Sequence, residues 1–210
     1  GHELATPLST IAVVAKDLST HLQSVDAPPS VLEDVTLIRS ELDHCRTILD
    51  RMTLHAGQAA GDEIVDTSVA ELIEEVLNGA RGRERVRVHA AAQTRQRRLI
   101  LPLENVSQAI RGVVQNALDA SGQQNTTLAA SVDQQTLVLE IRDRGPGMSK
   151  EILARAGDPF FTTKEPGKGM GLGLFITRSV IERLGGSLEL RSGTAGGVTA
   201  TIKLPLTENS

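Results

Sequence analysis

The chain has 210 residues, 40% hydrophobic and 23% charged, with a formal net charge of −4; this is an ordinary globular composition with no basic field to draw nucleic acid or anionic lipid. It holds no Trp, no Tyr, three Phe and a single cysteine, Cys45, which excludes aromatic platforms for single-stranded nucleic acid, a disulfide framework and a multi-cysteine metal site. No apolar run approaches the ~20 residues that span a bilayer.

The sequence opens on Gly1-His2-Glu3, inside a motif, and reads as part of a longer protein. Leu4, Leu8, Ile11, Ala15, Leu18, Leu22 and Val25 alternate spacings of four and three, the seam of a coiled coil. Asp26-Ala27-Pro28-Pro29-Ser30 stops that helix, and Ser30 can cap the next. The seam returns at Val31, Val35, Ile38, Leu42, Cys45, Leu49 and Met52. Residues 1–55 therefore predict an antiparallel helical hairpin. One hairpin leaves half its seam wet, so a homodimeric four-helix bundle is expected.

Residues 56–63 are small and polar and read as a linker. Over 64–210 the periodicity changes. Thr67 or Ser68 caps a helix through Leu77, Val86–Ala90 alternates as a strand, and residues 103–120 predict an amphipathic helix. Thr126–Val132 and Thr136–Asp143 predict paired strands. A glycine-rich stretch follows from Arg144 to Gly173, then a helix to Leu184, then strands at Ser187–Arg191 and Val198–Leu204. The fold class is α+β: the hairpin, followed by an α/β sandwich with one sheet covered by helices on one face.

Several motifs carry chemistry. With Leu4 at heptad position a, His2 falls at the exposed position f, Glu3 sits beside it, and Thr6 lies one turn on. An exposed imidazole next to a carboxylate is a nucleophile with a proton acceptor. Pro7 predicts a kink. Asn116 offers a hard amide oxygen suited to Mg²⁺. Asp143-Arg144-Gly145-Pro146-Gly147-Met148 places an acid at a strand end, where glycines let the backbone pass close to a ligand. Gly167, Gly169, Gly171 and Gly173 alternate into a helix, an arrangement that brings backbone N–H groups to phosphate. There is no Gly-Lys-Ser/Thr ending and no strand directly before it, so neither a Walker A loop nor a dinucleotide fingerprint applies. Upstream, Phe160 and Phe161 in Asp158-Pro159-Phe160-Phe161-Thr162-Thr163-Lys164 anchor one end of a lid.

Taken in order, His-Glu-x-x-Thr-Pro, the helical Asn, Asp-x-Gly-x-Gly, Phe-Phe-Thr-Thr-Lys and Gly-x-Gly-Leu-Gly-Leu resemble the H, N, G1, F and G2 boxes of the sensor histidine kinases of two-component systems. Gly196-Gly197-Val198-Thr199 resembles their last, G3, segment. The likeness covers residues 2–206, and the stretch around His2 and the Cys45 helix look most like the RegB-type redox-responsive subgroup. The resemblance implies that 1–55 is a dimerisation and histidine phosphotransfer domain, and that 64–210 is a Bergerat-type ATP-binding domain shared with gyrase, Hsp90 and MutL. It implies that His2 attacks the γ-phosphate of ATP, with Glu3 orienting or deprotonating it. Asn116 would bind Mg²⁺ and Asp143 the adenine amino group. Gly145, Gly147, Lys164, Gly169, Gly171, Leu172, Gly173 and Thr199 would complete the nucleotide site. The phosphoryl group would pass to an aspartate of a response regulator docked on the bundle. Thr6 would position water for dephosphorylating that regulator. No nucleic-acid partner and no membrane contact by this piece are expected; the whole protein would be a bacterial inner-membrane sensor with this portion in the cytoplasm.

Two positions depart from the family pattern. Gly112 stands where many relatives have Asn, and Asp119 where many have Lys. Both remove polar contacts to the nucleotide and keep open a second reading, a dimeric docking scaffold with a degenerate site. Cys45 also keeps two readings, a packed seam residue or a redox switch whose thiolate His44 and Arg46 favour. Seven arginines between Arg81 and Arg98 read as a solvated face.

Overall fold

A computed structural model of the chain describes residues 2–24, 28–42, 63–159, 161–164, 171–194 and 196–206. It divides into two compact units, Gly1–Gly61 and Asp62–Ser210.

In the first unit, helix α1 (His2–Ser24) continues through Pro7, and helix α2 covers residues 29–42. The sequence places the second helix's cap at Ser30. In the structure Pro29 already lies in the helix, the first-turn position where a fixed φ and a missing N–H cost nothing. Val31 and Leu32 donate backbone hydrogen bonds to Pro28. Along the predicted seam Ala15 and Val35 are buried, while Ile11, Leu18, Val31 and Ile38 stay exposed, as do Val13, Val14 and Leu37 off it. Cys45, the seam beyond Leu42 and the linker up to residue 62 lie outside the described residues.

The second unit is built on a five-stranded sheet in the order β2-β4-β5-β7-β6: β2 (Val86–Ala90), β4 (Thr126–Asp133), β5 (Thr136–Arg142), β6 (Ser187–Ser192) and β7 (Val198–Pro205). The neighbours run antiparallel except β2 and β4, which are parallel. Alternation sends Leu128 and Ala130, Leu137, Leu139 and Ile141, and Ala200, Ile202 and Leu204 into one core. Helices α3 (Val69–Asn78), α5 (Leu103–Ser121) and α7 (Gly173–Arg183) bury their apolar stripes in the same core. On α5 that stripe is Val106, Ile110, Val113, Val114, Ala117 and Leu118, the helical spacing the sequence predicts. Ser68 caps α3 in a reciprocal box: its side chain accepts from the Glu71 backbone, and the Glu71 carboxylate accepts from the Ser68 backbone at 2.7 Å.

Two features correct the sequence reading. There is a second sheet, in which β1 (Ile64–Ser68) pairs antiparallel with β3 (Arg98–Pro102). Each strand has five residues and the partners lie thirty or more positions apart, so no local turn announces the pairing. Two short helices, α4 (Ala92–Arg95) and α6 (Lys150–Arg155), are also unpredicted; neither is long enough to show a helical period. Helix α6 lies within the stretch read as glycine-rich loop.

Candidate functional site

The chemistry-bearing residues of the second unit come from three places: the middle of α5, the loop after β5, and the approach to α7. Asn116 is half-buried on α5. The Lys164 Nζ donates to its Oδ1 at 3.5 Å and to Oδ2 of Asp119 at 2.7 Å. Gly173, the first residue of α7, lies against the same amide: a Cβ added there would sit 3.7 Å from Asn116 Nδ2. Among the described residues no side chain caps helix α7, and its first-turn N–H groups and the positive end of its dipole suit an anion. Buried Leu172 precedes it, and Gly171 supplies the positive φ of 66° that turns the chain into the helix. Thus Asn116, Lys164, Gly171, Leu172 and Gly173 meet at one place. Gly169 and Phe160 lie outside the described residues.

Asp143 is the second focus. It is 7% exposed, its N–H donates to Val198 O at 3.0 Å, and its Oδ1 accepts from Gly145 N at 2.8 Å. Gly145 packs so closely on the end of α5 that an added Cβ would lie 2.8 Å from Ala120 O. Ser121 accepts from Arg144 N and Ser192 from Met148 N. These two serines pin the Asp143–Met148 loop, and no local pattern in the sequence marks either for that task. A polar pocket of about 490 Å³ opens beside the loop, lined in part by Thr127, Arg142, Asp143, Arg144 and Gly196. Asn116, Lys164 and Gly173 do not line it.

Thr199 does not face Asp143. In β7 the buried positions are Val198 and Ala200, so Thr199 points to the uncovered sheet face. Its cross-strand neighbours there are Arg142 and Arg191, and the register continues through Thr127 to Arg87. Gly112 is not closed by packing either, since an added Cβ would meet only Thr177 Oγ1 at 4.0 Å. Thr177 donates to Ala109 O across α5 and α7 at 2.9 Å. Upstream of Lys164, Phe161 is half-buried with the Arg155 guanidinium 4.2 Å over its ring.

The Asp119 carboxyl is shifted from its ordinary value. Burial pushes its carboxyl up, but hydrogen bonds from Lys164 and Gln115, with the charges of Lys164 and Arg81, outweigh that and hold it below the ordinary carboxylate value. His2, Glu3 and Thr6 all lie on α1, with side chains outside the described set. Among the described residues no group of three His, Cys, Asp or Glu could hold a metal alone. A hard cation at Asn116 would take its remaining oxygens from phosphate and water, which suits Mg²⁺. The Asn116 oxygen already faces a cation, the Lys164 ammonium, so it fits that role.

Comparison with known proteins bears on the family and the fold. Residues 103–208, half of the chain, match the family model described as histidine kinase-, DNA gyrase B-, and HSP90-like ATPase. The sensor histidine kinase RegB of Cereibacter sphaeroides is 31% identical over 202 residues, covering 89% of this chain and 42% of that protein. The C4-dicarboxylate transport sensor protein DctB of Pseudomonas aeruginosa is 30% identical over 204 residues, covering 82% and 33%. The chain thus spans less than half the length of either relative. The catalytic domain of histidine kinase ThkA superposes with a TM-score of 0.59 at 25% identity, over 69% of this chain and 97% of that one. Among the described residues no helix is long and apolar enough to cross a membrane.

Proposed function

The chain belongs to the family of histidine kinase-, DNA gyrase B- and HSP90-like ATPases, and on that premise we propose that it is the core of an ATP-dependent protein-histidine kinase. The observation that carries this reading is the meeting of the Asn116 amide, the Lys164 ammonium and the start of α7. An amide oxygen, a cation and first-turn helix N–H groups together suit a triphosphate.

In this reading the Asp143 carboxylate accepts from the adenine amino group, and the loop through Gly145 and Gly147 keeps the backbone close to the base. The N–H groups at Gly171, Leu172 and Gly173 bind phosphate oxygens. Lys164 neutralises their charge, and Asn116 holds Mg²⁺. When bound there, magnesium would supply charge screening for the phosphates. An imidazole nitrogen of His2 attacks the γ-phosphorus, the bond to the ADP oxygen breaks, and Glu3 orients the ring or takes its proton. Catalysis by positioning and charge neutralisation is what phosphoryl transfer requires. We further assign the next acceptor to an aspartate of a response regulator, and to Thr6 the placing of water for the regulator's dephosphorylation. Two copies of residues 1–55 form the docking bundle; the exposed Ile11, Leu18, Val31 and Ile38 support that pairing. Redox control through Cys45 has its support in the likeness to RegB. The whole protein is then a membrane-anchored sensor.

The test is incubation of a version carrying upstream residues with γ-labelled ATP and Mg²⁺. The expected label is acid-labile and absent from His2→Gln. Acid-stable label, or none, refutes the kinase reading.

A further inference from the structure

We propose that Asp119 and Lys164 form a latch. In the nucleotide-free chain Asp119 holds the Lys164 ammonium beside the Asn116 oxygen; nucleotide binding moves that ammonium from carboxylate to phosphate. The inference rests on the reading of Asn116 and the start of α7 as the phosphate side of the site.

Asp119 lies three residues after Asn116 on α5, so the two project from the same side of the helix. Both of its oxygens are engaged, Oδ2 by Lys164 at 2.7 Å and Oδ1 by Gln115 Nε2 at 3.0 Å. The carboxylate is therefore aimed rather than free to swing. Lys164 belongs to the described stretch 161–164, called the strap below. Among the described hydrogen bonds of that strap, the two from Lys164 Nζ are the ones that reach α5. Phe161 ties the same stretch back: its N–H donates to Asp158 O and its ring lies under Arg155. Asp119 is thus a positioning residue for Lys164: it holds the ammonium beside the Asn116 oxygen before any ligand arrives.

The ion pair is open to solvent, with side chains 39% and 43% exposed, so it is weak enough to exchange. Lysine suits exchange, because a compact ammonium on a flexible stem can follow its anion. A triphosphate carries more negative charge than one carboxylate and displaces it. Without its partner, the Asp119 carboxylate then adds negative potential near Asn116. That penalises a bare triphosphate and favours one carrying a divalent cation.

The experiment measures binding of a non-hydrolysable ATP analogue to the full chain by calorimetry, in EDTA and in Mg²⁺, for wild type and Asp119→Asn. A second readout is the rate of tryptic cleavage after Lys164 without nucleotide. Asp119→Asn is expected to tighten binding in EDTA about two- to fivefold and to shrink the gain on adding Mg²⁺ correspondingly. It should also speed cleavage after Lys164 by a similar factor, with protection restored by the analogue. Unchanged affinity and cleavage overturn the latch. Equal weakening in EDTA and in Mg²⁺ overturns it too, because a merely structural carboxylate would behave that way. A wild-type chain that binds no analogue overturns the nucleotide reading itself, and the ammonium transfer with it; the cleavage arm still reports whether Asp119 holds the strap.

Discussion

At Asn116 a single side chain faces both a cation and a helix N-terminus, so its loss should be felt in binding and hardly in folding. Asn116→Ala is expected to remove the Mg²⁺-dependent part of nucleotide affinity, about tenfold for a hydrogen bond to a charged group. The melting temperature should stay near wild type, because the side chain is only half-buried. Asp143 differs, since it is buried and holds Gly145 N. Asp143→Ala should lower stability by about 1–2 kcal/mol and abolish discrimination between adenine and guanine nucleotides, as read by thermal melts and competition binding. A variant that keeps the discrimination would move the base-recognition role elsewhere. Both residues are legible in the sequence because each breaks its surroundings: an Asn in an apolar helix face, an acid closing a strand before glycines. Asp119 is legible as a departure, but its partner is not. Lys164 lies 45 positions away, and charge alone does not pair residues at that separation.

Among the elements, α3 depends on its cap. Ser68→Ala should cost about 1 kcal/mol, a fall of roughly 2–4 °C in melting temperature for a unit of this size. The Glu71 half of the box should show in the pH dependence. Hydrogen bonds from the Ser68 backbone and hydroxyl and from Thr67, with the charge of Arg98, hold the Glu71 carboxyl below its ordinary value. Its contribution is therefore fully present above the ordinary carboxylate pKa and fades as pH falls through the lowered one. Acid melts of wild type and Glu71→Gln should converge at the low end of that range; parallel curves would remove Glu71 from the box. The cap, α5 and the β4–β5 pair follow from local pattern. In contrast α4 and α6 do not, because helices of four and six residues carry too few turns to register a period, and the β1–β3 pairing does not, because it joins strands thirty or more positions apart.

For the whole molecule, the consequential expectation is the pairing of two helical hairpins. Ile38 is 47% exposed in one chain, and apolar side chains left open along a seam are what a second copy would cover. Light scattering should give twice the chain mass for wild type and a single mass for Ile38→Asp. A wild-type monomer at high micromolar concentration would exclude the bundle. The substitution should leave nucleotide affinity unchanged, since the Asn116 and Asp143 sites lie within the second unit.

The order of the boxes, the two seams and the amphipathic helix from 103 onward can be read in the linear chain. They are repeats with a helical or strand period, or glycines and acids whose local conformation is their function, and neither depends on a distant partner. The facing of Thr199 onto the open sheet, the alignment of Arg87, Arg142 and Arg191 through successive strand registers, and the reach of Lys164 to α5 are different. Each is set by which strands and helices pack together. A one-residue change of register would turn every side chain of a strand to the opposite face, and only the assembled core, with its alternating buried positions, selects the register that this chain adopts.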